Sequence, residues 1–160
     1  MNTLRASIFD PDFEPTKWNT VDWWRNPAVK HRFNGDSSEV NPVFQRLLDP
    51  IISKSRKIDR VTAVQALIKH KPMLKVREEY GNHQYIVAYN IKGGKLVEYE
   101  FCQFFDNKHS SSIERWVGGV FDPEVFSDRL YYEPNQYYLI SKKDLKIIKD
   151  FYNELQENIK

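Results

Sequence analysis

The segment MLKVREEYGNHQYIVAYNIKGGKLVEYEFCQFF, from Met73 to Phe105, governs the architecture expected for this chain. It contains three runs rich in β-branched and aromatic residues, separated by Gly81-Asn82 and by Lys92-Gly93-Gly94. Glycine accepts the positive φ angles that tight hairpin turns require, and runs of this kind between such turns are typical of antiparallel strands. The segment therefore predicts an antiparallel β-meander on which the helices of the chain pack.

Apolar residues with helical spacing flank the meander on both sides. Two stripes at three- and four-residue steps precede it and predict helices within residues 42–71. Pro50 falls inside the first stripe, so that helix either bends there or ends and is followed by another. A third stripe follows the meander and predicts an amphipathic C-terminal helix over residues 142–159.

These patterns predict a single globular domain over residues 1–160 with an α+β fold. We expect an irregular, aromatic-rich segment over 1–40, then the N-terminal helices, then a central antiparallel β-meander within 73–140. That sheet should have about four or five strands, with the C-terminal helix packed on it. The third run of the meander alternates between an apolar and a mixed face, so we expect helices to cover one side of the sheet only.

The cysteine content and hydropathy indicate a compartment. Cys102 is the only cysteine, so an internal disulfide is impossible and a reducing environment is favoured. The first ten residues lack the apolar core of a signal peptide, and no window approaches the length of a membrane span. We therefore expect a cytoplasmic protein that does not enter a membrane.

A net charge of +2 hides an uneven distribution of charged residues. Between Pro42 and Arg77, nine basic residues face only two acidic ones, whereas between Leu96 and Asn135 eight acidic residues face three basic ones. Asymmetry of this kind concerns the partners of a protein rather than its fold. Each of the two segments therefore suggests a different class of partner.

The sequence has few of the residue patterns that are typical of catalytic or cofactor-binding sites. The four histidines do not pair at metal-ligand spacing, and neither glycine pair begins a phosphate-binding loop, so we expect no metal and no cofactor. An enzyme would have to use Cys102, activated by His83 or His109, or the carboxylates of Glu98 and Glu100, which share a strand face. A buried structural cysteine and a solvated acidic edge are the more common meanings of these residues.

The basic segment suggests nucleic-acid binding as an alternative function. A basic helix followed by a basic strand is suited to following a phosphate backbone, and the chain carries no recognised nucleic-acid-binding signature. A solvated helical face is the competing interpretation. The predicted phosphate contacts are Arg56, Lys57, Arg60, Lys71 and Arg77.

The acidic segment suggests a protein partner, and we place this hypothesis first. Carboxylates interleaved with aromatic residues combine electrostatic steering of a basic partner with anchors that supply binding energy. A nuclease surface is itself positive, so the segment suits a non-catalytic bacterial immunity or antitoxin-type protein that occludes the active site of a cationic, nuclease-like toxin. The predicted contacts are Glu98, Glu100, Asp106, Glu114, Trp116, Asp122 and Tyr131.

Overall fold

The computed structural model describes residues 25–26, 32–79, 81–106, 108–131 and 135–159. The predicted α+β class is confirmed, with more strands than the four or five expected. The elements in chain order are β1 (Arg25–Asn26), β2 (Arg32–Asp36), α1 (Ser37–Lys54), β3 (Arg56–Ile58), α2 (Arg60–Ile68), β4 (Met73–Glu79), β5 (His83–Lys92), β6 (Lys95–Phe104), β7 (Ser110–Val120), α3 (Pro123–Tyr131), β8 (Asn135–Leu139) and α4 (Lys142–Ile159).

The predicted meander forms the centre of one antiparallel sheet in the described part of the chain. The strand order is β1-β7-β6-β5-β4-β8-β3, and β2 also pairs with β7. Gly93 and Gly94 turn the β5–β6 hairpin with φ angles of 59° and 75°, in the region that glycine adopts most easily. The meander has a fourth strand, β7, although Gly118-Gly119 weakens its strand pattern.

The additional strands lie where the sequence predicted other structure. β2 falls within the segment expected to be irregular, and β3 falls within the segment expected to be helical. Both are short polar segments whose backbone groups hydrogen-bond to neighbouring strands, β7 and β8, that are distant in the sequence. Most of the aromatic-rich segment, residues 1–24 and 27–31, lies outside the described residues.

α1 begins earlier than its apolar stripe and passes through Pro50 without ending. Its N-cap is Asp36, whose Oδ1 accepts a hydrogen bond from the backbone N–H of Ser38 at 2.9 Å. At the other end, Lys54 Nζ lies 2.9 Å from Asp144 Oδ1 in the first turn of α4. The C-terminus of α1 and the N-terminus of α4 are therefore held together.

Helices pack on both faces of the sheet, so the expectation of one covered face is wrong. α1 and α4 bury their apolar stripes on the face that carries Val97, Tyr99 and Phe101. α2 and α3 bury theirs on the opposite face, which carries Tyr89 and Leu96. The molecule thus has three layers, and the strand ends form two further surfaces at opposite ends of the sheet.

Candidate functional site

Three of the predicted toxin contacts lie in the interior. Glu98, Glu114 and Trp116 are 0%, 8% and 6% exposed, and Glu100 is half-buried. They face the side of the sheet that α2 and α3 cover, because β6 and β7 place Glu98 opposite Trp116 and Glu100 opposite Glu114. This corrects the expectation that these side chains form an exposed acidic surface.

Glu98 is paired inside the protein. Its Oε2 lies 3.5 Å from Nη1 of Arg129, whose side chain is 12% exposed. Arg129 is in α3, which packs through Phe126 and Leu130 on the same face of the sheet. The carboxylate therefore joins α3 to the centre of the meander, and a buried charge needs such a partner to be tolerated.

The remaining predicted contacts are spread over the molecule. Asp106 lies just before β7 and Asp122 just after it, so the 11 residues of that strand separate them. At about 3.3 Å per residue, this corresponds to roughly 36 Å. Tyr131 ends α3, and its side chain lies outside the described residues. The acidic segment thus does not assemble into one surface.

Asp106 organises the loop that precedes β7. Its carboxylate accepts hydrogen bonds from the backbone N–H of Lys108 at 3.0 Å and from Nδ2 of Asn82 at 3.3 Å, and its Oδ2 lies 2.8 Å from His109 Nδ1. The hydrogen bond from Lys108, followed by the contacts with His109, holds the pKa of Asp106 below its usual value. The neighbouring Phe105 side chain is 46% exposed.

Phe105 and Asp106 belong to one end of the sheet, which we call the acidic end. The register places β4 and β5 there through Glu79 and His83, and Asp36 of β2 pairs with Ser110 of β7. Lys108 is a basic residue at this end and offsets part of its negative charge. The exposed or partly exposed acidic residues of the acidic end are Asp36, Glu39, Glu78 and Asp106.

The opposite end of the sheet is basic. Arg56 pairs with Leu139, Leu139 pairs with Met73, and Met73 pairs with Tyr89. The residues after Leu139, before Met73 and after Tyr89 therefore lie close together at this end of the sheet. We call the exposed basic residues of this end the basic rim: Lys54, Arg56, Lys57, Lys69, Lys71, Lys92, Lys95, Lys142 and Lys143.

The basic rim is drawn from four segments: residues 54–57, 69–72, 92–95 and 140–143. These segments contain no Asp or Glu. Outside them, Asp122 and Glu124 flank the rim beside the β5–β6 turn, where the backbone N–H of Phe121 donates to Gly94 O at 2.8 Å. The rim is therefore most strongly positive around the ends of β3, β4 and β8.

The predicted phosphate contacts divide between the rim and other positions. Arg56, Lys57 and Lys71 belong to the rim. Arg60 instead joins α2 to α3, because its Nη1 donates to the backbone oxygen and the hydroxyl of Ser127 at 3.2 and 3.1 Å. Arg77 lies within the sheet, with its guanidinium carbon 4.7 Å from the ring centroid of Tyr85.

Sequence reasoning missed six members of the rim: Lys54, Lys69, Lys92, Lys95, Lys142 and Lys143. Two of them, Lys54 and Lys69, lie in the same charged segment as the predicted contacts but were not selected. The other four lie at the β5–β6 turn and at the start of α4, 15 residues or more beyond Arg77. Each of these two regions has a pair of lysines at the end of a predicted element, which was the available signal in the sequence. The strand order was needed to show that these pairs lie beside the other rim residues.

Cys102 has the histidine neighbour that a thiol nucleophile needs. His83 Nε2 lies 2.9 Å from Cys102 Sγ, across the β5–β6 ladder. The imidazole stacks on the Phe104 ring at a centroid separation of 4.0 Å and also contacts the tilted Tyr85 ring at 4.2 Å. A histidine in this position can accept the thiol proton and increase the nucleophilicity of the sulfur. His109, the other predicted base, contacts Asp106 instead.

Within the described ranges, no group of three or more His, Cys, Asp or Glu residues is placed to hold a metal ion. No helix in these ranges has the length and apolarity needed to cross a membrane. Comparisons of the chain with protein families, with curated proteins and with solved structures gave no match. The functional assignment therefore depends on the surfaces of this protein alone.

Proposed function

We propose that the protein is a non-catalytic, cytoplasmic nucleic-acid-binding protein that contacts phosphates through its basic rim. The supporting observation is the convergence of nine exposed basic residues, from four segments without an acidic residue, on one end of the sheet. Displacement of counterions by lysine and arginine supplies most of the free energy of non-specific nucleic-acid binding. A net charge of +2 would not reveal such a surface, because most of the acidic residues lie away from it.

The composition of the rim suits phosphate contact. Eight of its nine members are lysines, which act as point charges, whereas arginine is the usual choice for bidentate recognition. Lys54 is already paired with Asp144, so the other members provide the charge that phosphates would meet. Strand ends, the β5–β6 turn and the ends of α1, α2 and α4 position these residues.

The test is fluorescence anisotropy with labelled DNA and RNA oligonucleotides over a range of salt concentrations. The variant Lys71→Gln/Lys92→Gln removes two charges from the rim, and we expect the slope of log K against log salt to fall by about two. The matched control is Arg46→Gln/Lys108→Gln, which removes two exposed charges outside the rim. No binding at low salt, equal effects of the two variants, or binding only to vesicles of anionic phospholipid would each overturn the proposal.

A second candidate is the toxin-inhibitor function, moved from the acidic segment to the acidic end. The specific observation is that Phe105, an aromatic side chain 46% exposed, lies between Asn82 and Asp106: its backbone N–H donates to Asn82 O at 2.9 Å. An aromatic anchor surrounded by carboxylates fits a basic protein partner.

This candidate predicts inhibition of a cationic bacterial nuclease domain. Residual nuclease activity is measured as the protein is titrated against a panel of such domains. We expect Phe105→Ala to weaken inhibition at least about tenfold, whereas Ile147→Ala, at a side chain 40% exposed on α4, should have no effect. Equal effects of the two substitutions, or no inhibition of any domain, would contradict it.

A further inference from the structure

We infer that the nucleic acid held by the basic rim is a DNA duplex, bound through phosphates on both sides of one groove and without sequence preference. This inference rests on the proposed function and specifies its partner. It depends on three features of the rim: its width, the absence of exposed Phe, Tyr and Trp side chains among its described residues, and its lysine content.

The width of the rim follows from the strand order. Lys95 begins β6 and Arg56 begins β3, and β5, β4 and β8 lie between these two strands. Four steps of about 4.8 Å between neighbouring strands separate the two residues by about 19 Å. The major groove of B-form DNA is about 12 Å wide. The rim is therefore wide enough for its two ends to meet phosphates of opposite strands, an arrangement that a single strand does not offer.

Exposed Phe, Tyr and Trp side chains are missing from the described part of the rim. Proteins that hold single strands stack bases on exposed aromatic side chains, at about 1–3 kcal/mol per base. Among the described residues, the exposed large apolar side chains near the rim are the aliphatic Ile68 and Val120, and the exposed aromatic Phe105 lies at the acidic end. In the part of the chain that the structure describes, the rim thus offers charge to a phosphate backbone, and its rings are limited to the exposed imidazole of His70 and the half-buried Phe121 beside the β5–β6 turn.

The lysine content bears on sequence preference. Base edges in the major groove are read most often by side chains that make bidentate hydrogen bonds, such as Arg to guanine. Arg56 is the one arginine of the rim, and it lies on the edge strand β3. Phosphate contacts carry no direct sequence information. We therefore expect duplexes of different sequence to bind with similar affinity.

The test compares four labelled ligands at one salt concentration: a 20-base-pair DNA duplex, one of its single strands, the RNA duplex of the same sequence, and a DNA duplex of unrelated sequence. We expect the first duplex to bind at least about tenfold more tightly than the single strand. The two DNA duplexes should differ by less than about threefold. The RNA duplex, whose major groove is deep and narrow, should bind more weakly than the DNA duplexes.

Two variants test whether both ends of the rim take part. Arg56→Gln and Lys95→Gln should each lower the salt slope for duplex DNA by about one, and their double variant by about two. The inference is overturned if either end leaves the slope unchanged, if the single strand or the RNA duplex binds as tightly, or if affinity follows sequence. Rim-dependent binding to a single strand would overturn this inference while supporting the proposed function, so the two fail separately.

Discussion

The buried pair of Glu98 and Arg129 provides a test of how the sheet is held to α3. Glu98 is fully buried and Arg129 nearly so, with 3.5 Å between the charged atoms. At an effective dielectric constant of about 20, two unit charges at this distance attract by about 5 kcal/mol. Desolvation of both groups offsets much of this attraction, but removal of one partner leaves the other buried and typically costs about 3–5 kcal/mol.

We expect Arg129→Gln to lower the free energy of unfolding by about 3 kcal/mol, near the lower end of that range. The lower value is chosen because the separation is long and Glu98 has other contacts. The double variant Glu98→Gln/Arg129→Gln replaces both charges by amides. It should be more stable than the sum of the single effects predicts, with a coupling of about 1–3 kcal/mol.

The measurement is equilibrium unfolding in urea, followed by circular dichroism, for the wild type, both single variants and the double variant. Arg46→Gln, at an exposed arginine of α1, is the matched control and should change stability by less than about 0.5 kcal/mol. A coupling below about 0.5 kcal/mol would refute the assignment of Glu98 and Arg129 as an energetically linked pair. In that case, the other contacts of Glu98 would have to supply its compensation.

The Cys102–His83 contact predicts a thiol that reacts with iodoacetamide near neutral pH, and His83→Ala should slow this reaction at least about tenfold at pH 7. The control His109→Ala should leave the rate unchanged. Equal rates in the wild type, His83→Ala and His109→Ala would show that His83 does not activate the sulfur. At Asp59, hydrogen bonds from Thr62 lower the carboxyl pKa, so its contribution to stability is present above the unfolded value of about 3.9 and is lost as the pH falls through the folded pKa. Asp59→Ala should therefore lower the melting temperature at pH 7 but not at pH 2, and an equal decrease at both pH values would contradict the cap.

The sequence was most informative where local pattern and tertiary packing agree. The runs between Met73 and Phe105 became strands of the meander, since glycine turns and β-rich segments specify hairpins locally. Asp59 has the short acidic side chain that is preferred at an N-cap, and its carboxylate accepts a hydrogen bond from the backbone N–H of Thr62 at 2.8 Å. The C-terminal helix begins and ends at the predicted residues because one continuous apolar stripe defines it.

Local pattern misled where non-local pairing supplied the hydrogen bonds. β2 and β3 have little strand pattern of their own and exist because β7 and β8 offer unpaired backbone edges. Glu98 was interpreted as solvated because alternation along one strand cannot show that a helix later in the chain covers that face. The identity of its partner Arg129, 31 residues away, depends on how α3 packs.

The sequence by itself therefore determined the fold class, the central hairpins, the C-terminal helix and the fact that charge is unevenly distributed. Only the tertiary structure decided where that charge is placed. Strand order is set by long-range backbone pairing, and it gathers lysines from distant segments at one end of the sheet while α3 covers the carboxylates of β6. A surface made of strand and helix ends leaves only separate lysine pairs along the chain, because its members are neighbours only after the sheet has formed.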